Sequence, residues 1–557
     1  MRVGDKLAEL LVDNGVDQVY GVPGGQTLPL YEGIRKFQGR IDHVLMRDER
    51  SAGYAADAYA RLTGRVGVCD GTVGPGATNL VSPLAEAYCS SIPMIAIVSD
   101  ISQAWEHRRT RGNASQAMHQ LEMFKTVSKW QVKVTDPGSL QNILDTAFRV
   151  ATTGKPGPVV VCVPEDVAYR DYEFKTAPIS SPGAVYPRVR SAPDPREVDQ
   201  ASEKILAARK PLLVVGGGAH ISGCYQQVKQ LAEQLQAAVV TTISGKGIIE
   251  ESHPQAFGVT GTFGNPTARD IMKEADLVFF IGSKIGQLTT FNYRCPAQDT
   301  TVIHLDTDAE EIGRNYANSI ALVGDASLGL DAVLAELTGR KGTADWDLES
   351  YKQKHEQWYL EATDDQHEPN QPLRPQAVMK AINQNLTNED LVVCDASLSS
   401  GWAAAYLQLN SAGRRFVAPR GLAGLGWGAP ASVGAALSPK QQGRVLHFAG
   451  DGGFGYSVQE LEVMKRLDLP VLSIIFNNSS LGWIKHVQKN YFQENYISTD
   501  FTQVDFAMVA KGFGARSYTA RRIEDMQEFL TLEESPKGPA VIEVISDQWE
   551  TAVLGLK

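Results

Sequence analysis

Asp451 and Asn478 are the residues whose types and spacing point most directly to chemistry. The first lies in VLHFAGDGG, an apolar run that enters a Gly-Asp-Gly turn, and the second ends PVLSIIFNN, a second apolar run. Between GDG and NN lie 24 residues, including the helix-like YSVQELEVMKRL. A strand, turn, helix and strand in that order predict two neighbouring strand ends. In open parallel sheets, ligands bind outside the carboxyl ends of the strands. A carboxylate and an amide carbonyl would then stand side by side there. Both are hard oxygen ligands suited to Mg²⁺, which keeps few protein ligands and completes its shell with phosphate oxygens and water. Gly450, Gly452 and Gly453 would let backbone N–H groups approach a diphosphate, and the helix N-terminus adds its dipole.

The elements that must position these groups recur along the chain. DQVYGVPG, HVLMRD, VGVCDGT, PMIAIVSD and PVVVCVP read as buried strands, with helical stretches such as ERSAGYAADAYARLTG between them. PLLVVGGG, AAVVTTIS, ADLVFFIGS and TVIHLDTD form a second set, and LVVCDAS, RVLHFAGD, PVLSIIFNN and AVIEVIS a third. Continuous apolar strands alternating with helices predict parallel sheets covered on both faces. The fold class is therefore α/β, with three sequential doubly wound parallel-sheet domains at 1–170, 191–340 and 370–557. A proline-rich linker at 171–195 and a polar, helix-prone connector at 339–370 separate them.

A length of 557 residues is too great for one core. A hydrophobic share of 43% and a charged share of 21% exclude a disordered or fibrous chain. The net charge of −11 argues against a nucleic-acid groove as the main function. No apolar run approaches the ~20 residues that span a bilayer, and MRVGDKLAELLVDNG reads as an amphipathic helix and not as a signal peptide. The six cysteines form no CxxC and are expected to be buried, reduced thiols. The expectation is a cytoplasmic protein with no membrane partner.

The GDG-to-NN segment resembles the thiamine diphosphate-binding motif. Together with GVPGGQTLPLYEGI, RDERSAGYAADAYARLTGRVGVC, GTVGPGATNLVSPLAEAYCSSIPMIAIVSD and GLAGLGWGAPASVGAALSP, it makes nearly the whole chain similar to large-subunit acetolactate synthases. The resemblance implies a pyrimidine-binding domain, a central FAD- or nucleotide-binding-like domain and a diphosphate-binding domain, in that order. It implies that Asp451, Asn478 and the Ser480 carbonyl hold Mg²⁺, and that Gly452, Gly453 and Gly482 lie beside the diphosphate. Ser399 and Ser400 fall where relatives carry polar side chains on the diphosphate, often Gln and His. Gly24, Gly74 and Asn79 would line the cofactor pocket. Glu49 matches the glutamate at N1′ of the aminopyrimidine, where a shared proton favours the imino tautomer that deprotonates the thiazolium. The Ala423 carbonyl would accept from the 4′-amino group, and Leu425 would wedge the cofactor into a bent shape. Because the family builds each site from two subunits, a homodimer or homotetramer is implied.

The chain departs from acetolactate synthases at positions that bear on substrate. Gln26 puts an amide where a small apolar residue is usual, and Ser115 replaces a phenylalanine before Gln116, which matches a catalytic-site glutamine. The pocket is expected to be more polar and roomier, with His119 nearby either as a candidate for proton transfer or as a helix-surface histidine. In the central domain GSKIGQLTT replaces the family's GARFDDR, leaving Lys284 as a partial substitute, so FAD, an ADP-like nucleotide or no ligand are all open there. The resemblance implies a thiamine diphosphate- and Mg²⁺-dependent carboligase or decarboxylase acting on a 2-oxo acid, with an aldehyde as a further substrate class. The alternatives are a 2-hydroxyacyl-CoA lyase or oxalyl-CoA decarboxylase type of lyase and a flavin-dependent enzyme of the pyruvate-oxidase type.

Overall fold

The computed structural model describes residues 1–175, 183–317, 319–364, 371–439, 441–531 and 538–551. Parts of the predicted linkers, 176–182 and 365–370, lie outside the described residues.

Three six-stranded parallel sheets follow one another in the chain. The first comprises β1 (Gln18–Gly21), β2 (Asp42–Leu45), β3 (Gly67–Gly71), β4 (Met94–Asp100), β5 (Trp130–Lys133) and β6 (Val159–Pro164). The second comprises β7 (Pro211–Val215), β8 (Ala238–Thr241), β9 (Ala256–Val259), β10 (Leu277–Ile281), β11 (Thr301–Asp306) and β12 (Ile320–Val323). The third comprises β13 (Leu391–Cys394), β14 (Phe416–Val417), β15 (Val445–Gly450), β16 (Val471–Asn477), β17 (Arg516–Ala520) and β18 (Ala540–Ile545). Their spatial orders are β2-β1-β3-β4-β6-β5, β12-β11-β10-β7-β8-β9 and β14-β13-β15-β16-β18-β17. In each the order reverses direction partway across, which is the doubly wound arrangement.

Double burial explains the apolar runs. In the second sheet Leu213, Val215, Phe279 and Ile281 enter the core on one face. Leu212, Val214, Val278 and Phe280 enter the core on the other. Successive residues point to opposite faces, so a strand covered on both sides has no polar phase.

The five strands not expected from the sequence, β5, β9, β12, β14 and β17, are all at sheet edges. Trp130–Lys133 is half-buried throughout, and Arg516–Ala520 alternates exposed and half-buried positions before ending on the buried Ala520. β5 and β17 lack the continuous apolar signal of the sheet centre, and β14 is only two residues long. In the second connector the helix-prone stretch forms the helix Leu348–Ala362.

The chain forms two compact units. One holds residues 1–189 with 419–441 and 456–471, and the other holds the remainder. The helix Glu49–Thr63 is the spine of the first unit. Asp48 caps its start by accepting the Ser51 N–H at 3.0 Å, and Gly64, at φ +72°, ends it in the left-handed conformation. Nearly all of it is buried, and its small residues, Gly53 and Ala55 among them, let neighbours approach closely. A Cβ on Gly53 would stand 2.4 Å from Pro83, and one on Gly434 would stand 2.1 Å from the Ala55 carbonyl.

One expectation about cysteines is corrected. Cys69, Cys162, Cys224, Cys295 and Cys394 are buried, and burial pushes the Cys162 and Cys224 thiols up to about 12. Cys89 is exposed, because it falls on the outer side of the helix Val81–Ser90 instead of in a strand.

Candidate functional site

In the first unit the carboxyl ends of β1 and β3 bring together most of the predicted pyrimidine-side residues. Glu49 is 9% exposed at the first position of its helix. Its Oε2 accepts the Asn79 amide at 2.9 Å. Its Oε1 faces Gly76, where a Cβ would stand only 2.9 Å away. Asn79 therefore orients Glu49, a role the sequence reading did not assign. Thr72 adjoins the same turn, and its hydroxyl donates to Gln26 Oε1 at 3.1 Å. Gly24 packs on Thr72 so closely that a Cβ would fall 2.3 Å from the hydroxyl.

Gly74, at φ +75°, lies under Gln116; a Cβ would meet the Gln116 carbonyl at 2.6 Å. Gln116 itself adopts φ +63° and is exposed, as are Ser115 and His119. The loop that carries them is tied down by Arg109, which pairs with Asp100 through two 2.9 Å contacts and donates to the Met118 carbonyl at 2.7 Å. Gln120 completes the tie, donating to the Ser99 carbonyl at 2.6 Å and accepting the Gly74 N–H at 3.3 Å. Below this surface Asp70 is fully buried, accepting from Tyr31 at 3.0 Å and pairing with His43 Nε2 at 2.9 Å. Burial raises its pKa, and His43 opposes the rise.

Ala423 and Leu425 lie on a loop of the same unit. Ala423 is exposed at φ +59° and Leu425 is half-buried. The Ala423 N–H donates to Glu86 Oε2 at 2.9 Å.

In the second unit β15 and β16 end side by side, as the spacing predicted. Asp451 is 5% exposed, and its Oδ1 accepts the Gly452 N–H at 2.7 Å. Its Oδ2 is buried without a hydrogen-bond partner among the described residues. Burial pushes the carboxyl up to about 6, against the pull of the N–H groups of Gly452, Ser479, Ser480 and Asn478. An orphaned, buried carboxylate oxygen is costly unless something compensates it. A cation is the fitting partner. Asn478 Oδ1 accepts both the N–H and the hydroxyl of Ser480 at 3.1 Å, which curls the chain around the same point.

The glycines there pack closely against side chains. A Cβ on Gly452 would meet Leu481 at 3.0 Å, one on Gly453 would meet Asp395 Oδ2 at 2.8 Å, and one on Gly482 would meet Leu398 at 3.0 Å. Asp395, at the end of β13, is a buried carboxylate that the sequence reading passed over. Its position at the carboxyl end of an apolar run was the available signal. Ser399 and Ser400 follow it, but their hydroxyls donate to carbonyls of their own turn, Ala396 at 3.3 Å and Ser397 at 2.8 Å.

In the central sheet Gly216 and Gly218 press against Gly282, where Cβ atoms would come within 2.3 Å and 2.8 Å of its backbone. Close packing on Gly282 accounts for Gly216 and Gly218, while a Cβ on Gly217 would meet the Ser244 side chain at 3.1 Å. Lys284 is half-buried next to this turn.

Glu460 is a further buried carboxyl of the first unit. It is fully buried, neither oxygen has a hydrogen-bond partner among the described residues, and Arg47, Asp48 and Ser51 face it. Burial pushes it up to about 8, with the Ser51 hydroxyl opposing and Asp48 adding to the rise. A carboxyl whose folded pKa is raised stabilises the fold at low pH and loses that contribution as pH rises through the folded value. Glu460→Gln should therefore raise the melting temperature at about pH 9 by roughly 2–4 °C or more. It should leave the value at about pH 5 nearly unchanged. Parallel melting curves across pH check this, and equal shifts at both ends would refute it.

The first unit holds a buried carboxylate at the ends of its strands, and the second unit, by itself, holds an oxygen-lined, glycine-packed pair of strand ends. The thiamine pyrophosphate enzyme domains match this chain in order: the N-terminal TPP binding domain over residues 1–123, the central domain over 198–336 and the C-terminal TPP binding domain over 395–544. The chain belongs to the thiamine pyrophosphate-dependent enzymes, in their acetolactate synthase-like branch. It is 32% identical to the probable acetolactate synthase large subunit of Methanocaldococcus jannaschii, over 88% of this chain and 83% of that protein. It is likewise 32% identical to the acetolactate synthase isozyme 3 large subunit of Escherichia coli, over 86% and 82% of the two chains. The Parasynechococcus marenigrum acetolactate synthase large subunit is 33% identical over 87% of this chain and 78% of its own. Among the described residues no helix is long and apolar enough to cross a membrane.

Proposed function

We propose that this enzyme joins or cleaves a carbon–carbon bond of a 2-oxo acid, using thiamine diphosphate held through Mg²⁺. The observation that carries the metal half is the unpartnered buried oxygen of Asp451 next to the Asn478 turn. In this reading Asp451, Asn478 and the Ser480 carbonyl hold the cation, and the N–H groups of Gly452, Gly453 and Gly482 approach the diphosphate. Thiamine diphosphate, when bound, would supply a nucleophilic carbon to attack the carbonyl of a 2-oxo acid and a cationic thiazolium ring to take up the electron pair left as CO₂ departs. Glu49, steadied by Asn79, holds and exchanges a proton at its carboxyl oxygen. Gln26 and Gln116 offer amides to the substrate, and Arg109 and Gln120 keep the Gln116 loop in place.

A homodimer or homotetramer with shared sites fits the exposed apolar side chains of the first unit, among them Leu422 and Tyr456. A cytoplasmic location goes with the reading. Gly216 and Gly218 are explained by packing on Gly282 and lend no support to a flavin.

Incubating the protein with thiamine diphosphate, Mg²⁺ and a panel of 2-oxo acids, aldehydes and acyl-CoA esters, with products identified by mass spectrometry, tests the reading. Consumption of no 2-oxo acid would defeat it. The polar pocket makes a second prediction. Gln26→Ala with Ser115→Phe should shift the ratio of kcat/KM for pyruvate over larger, polar 2-oxo acids upward by about tenfold or more. An unaltered substrate profile would remove both positions from substrate selection.

A further inference from the structure

Glu86 lies on the helix Val81–Ser90 and is 1% exposed. Its two oxygens gather five donors. Oε1 accepts from Arg61 at 2.9 Å, from the Ser90 hydroxyl at 2.7 Å and from the Gly421 N–H at 3.0 Å. Oε2 accepts the N–H groups of Leu422 at 2.7 Å and Ala423 at 2.9 Å. Three successive backbone N–H groups thus converge on one buried anion, a nest in which the protein's own carboxylate is the occupant. Burial alone would raise the Glu86 pKa, yet Arg61, Ser90 and the Ala423 and Gly421 N–H groups hold it down at about 2.

The other end of the same loop is tied to the same network. Trp427 Nε1 donates to Asp57 Oδ2 at 3.0 Å, and its ring lies 5.4 Å from the Arg61 guanidinium. Arg61 bridges the two carboxylates, holding Asp57 at 2.9 Å as well as Glu86. Gly421 is needed for the approach, since a Cβ would stand 2.7 Å from the Glu86 carbonyl. Between these anchors the strap does not bury its middle. Ala423 is exposed and held at φ +59°, a region disfavoured for any residue with a Cβ, and Leu425 is only half-buried. A loop pinned at both ends and strained in the middle presents its middle to something else.

We infer that Glu86 is a positioning residue for the cofactor: its carboxylate clamps the 421–423 backbone so that the Ala423 carbonyl and the Leu425 side chain are presented in fixed geometry. This rests on the proposed thiamine diphosphate reading for those two residues. Arg61 and Asp57 supply the charge balance that keeps Glu86 ionised inside the fold.

The test uses the full-length protein with Glu86→Gln, which keeps the side chain's size but can no longer accept three N–H groups as an anion. Amide hydrogen exchange at 421–423 is measured without cofactor. Binding of thiamine diphosphate with Mg²⁺ is measured by calorimetry, and exchange of its thiazolium C2 proton by NMR. Glu86→Gln should speed exchange at 421–423 by about tenfold or more while leaving the helix Glu49–Thr63 protected. Cofactor affinity and C2-proton exchange should each fall by about tenfold. Adding Ala423→Gly, which adopts positive φ without a clamp, should recover part of the lost affinity. If Glu86→Gln does not fold, Glu86→Asp keeps the charge beside Arg61, withdraws it from the amides and is read in the same way. Unchanged amide exchange overturns the clamp. Faster amides with unchanged cofactor affinity and C2 exchange overturn its link to the cofactor. A wild-type protein that binds no thiamine diphosphate overturns the proposed function itself, and the amide data, taken without cofactor, keep that failure separate.

Discussion

Glu49→Gln is expected to fold, to retain thiamine diphosphate at near wild-type affinity and to turn over at least ~10²-fold more slowly. The amide has the size of the carboxylate and can still accept from Asn79, whose Nδ2 lies 2.9 Å from Oε2. Gly76 leaves room for either group at Oε1. What the substitution removes is the ability to hold and release a proton at that oxygen. The structural cost is small, because losing a negative charge from a first helical turn costs about 0.3–1 kcal/mol, and Asp48 still caps the helix. Steady-state kinetics together with C2-proton exchange of bound thiamine diphosphate check the outcome. Near-normal rates in both would remove Glu49 from the mechanism, whereas a loss of affinity without a loss of rate would make it a binding group only.

Asp451→Asn divides apoprotein stability from cofactor retention. The amide oxygen can replace Oδ1 as acceptor for the Gly452 N–H. The partnerless Oδ2 loses a charge that burial already disfavours, as the rise of the carboxyl to about 6 indicates. The apoprotein should therefore melt at the wild-type temperature or above it. Retention of thiamine diphosphate in the presence of Mg²⁺ should fall about 10²-fold, because a neutral amide is a poorer ligand for a hard divalent cation than a carboxylate. A thermal shift measured with and without thiamine diphosphate and Mg²⁺ reads both, since a ligand that binds only the folded state raises its apparent stability. An undiminished shift in the variant would refute the metal assignment.

Much of this protein is legible in its residues, for reasons that can be named. The central strands were visible because burial on both faces leaves no polar phase, as in Leu212–Val215. The edge strands β5, β9, β12, β14 and β17 were not visible, because they are short and most carry half-buried or exposed positions that break an apolar run. Asp451 and Asn478 were visible because strand ends in parallel sheets carry ligands, and the two strands prove to be neighbours. The Ser399 and Ser400 hydroxyls turn back onto their own helical turn, a choice of rotamer that residue type does not dictate. Cys89 illustrates the same limit: a helix has an outer face, and which residue occupies it depends on what the helix packs against.

By itself the order of residues determined the three-sheet α/β plan, the strand ends that meet at Asp451 and Asn478, and the family signature around Glu49. Those are local matters, set by burial pattern, turn chemistry and spacing within a few tens of residues. Only the tertiary structure decided that Asn79 steadies Glu49, that Arg109 ties down the Gln116 loop and that Glu86 gathers the N–H groups of a loop 335 to 337 residues further on. Each of those contacts depends on which donor reaches which buried acceptor once the sheets have packed. A desolvated carboxylate must find every available partner, and its partners are chosen by proximity in space, to which sequence separation is no guide.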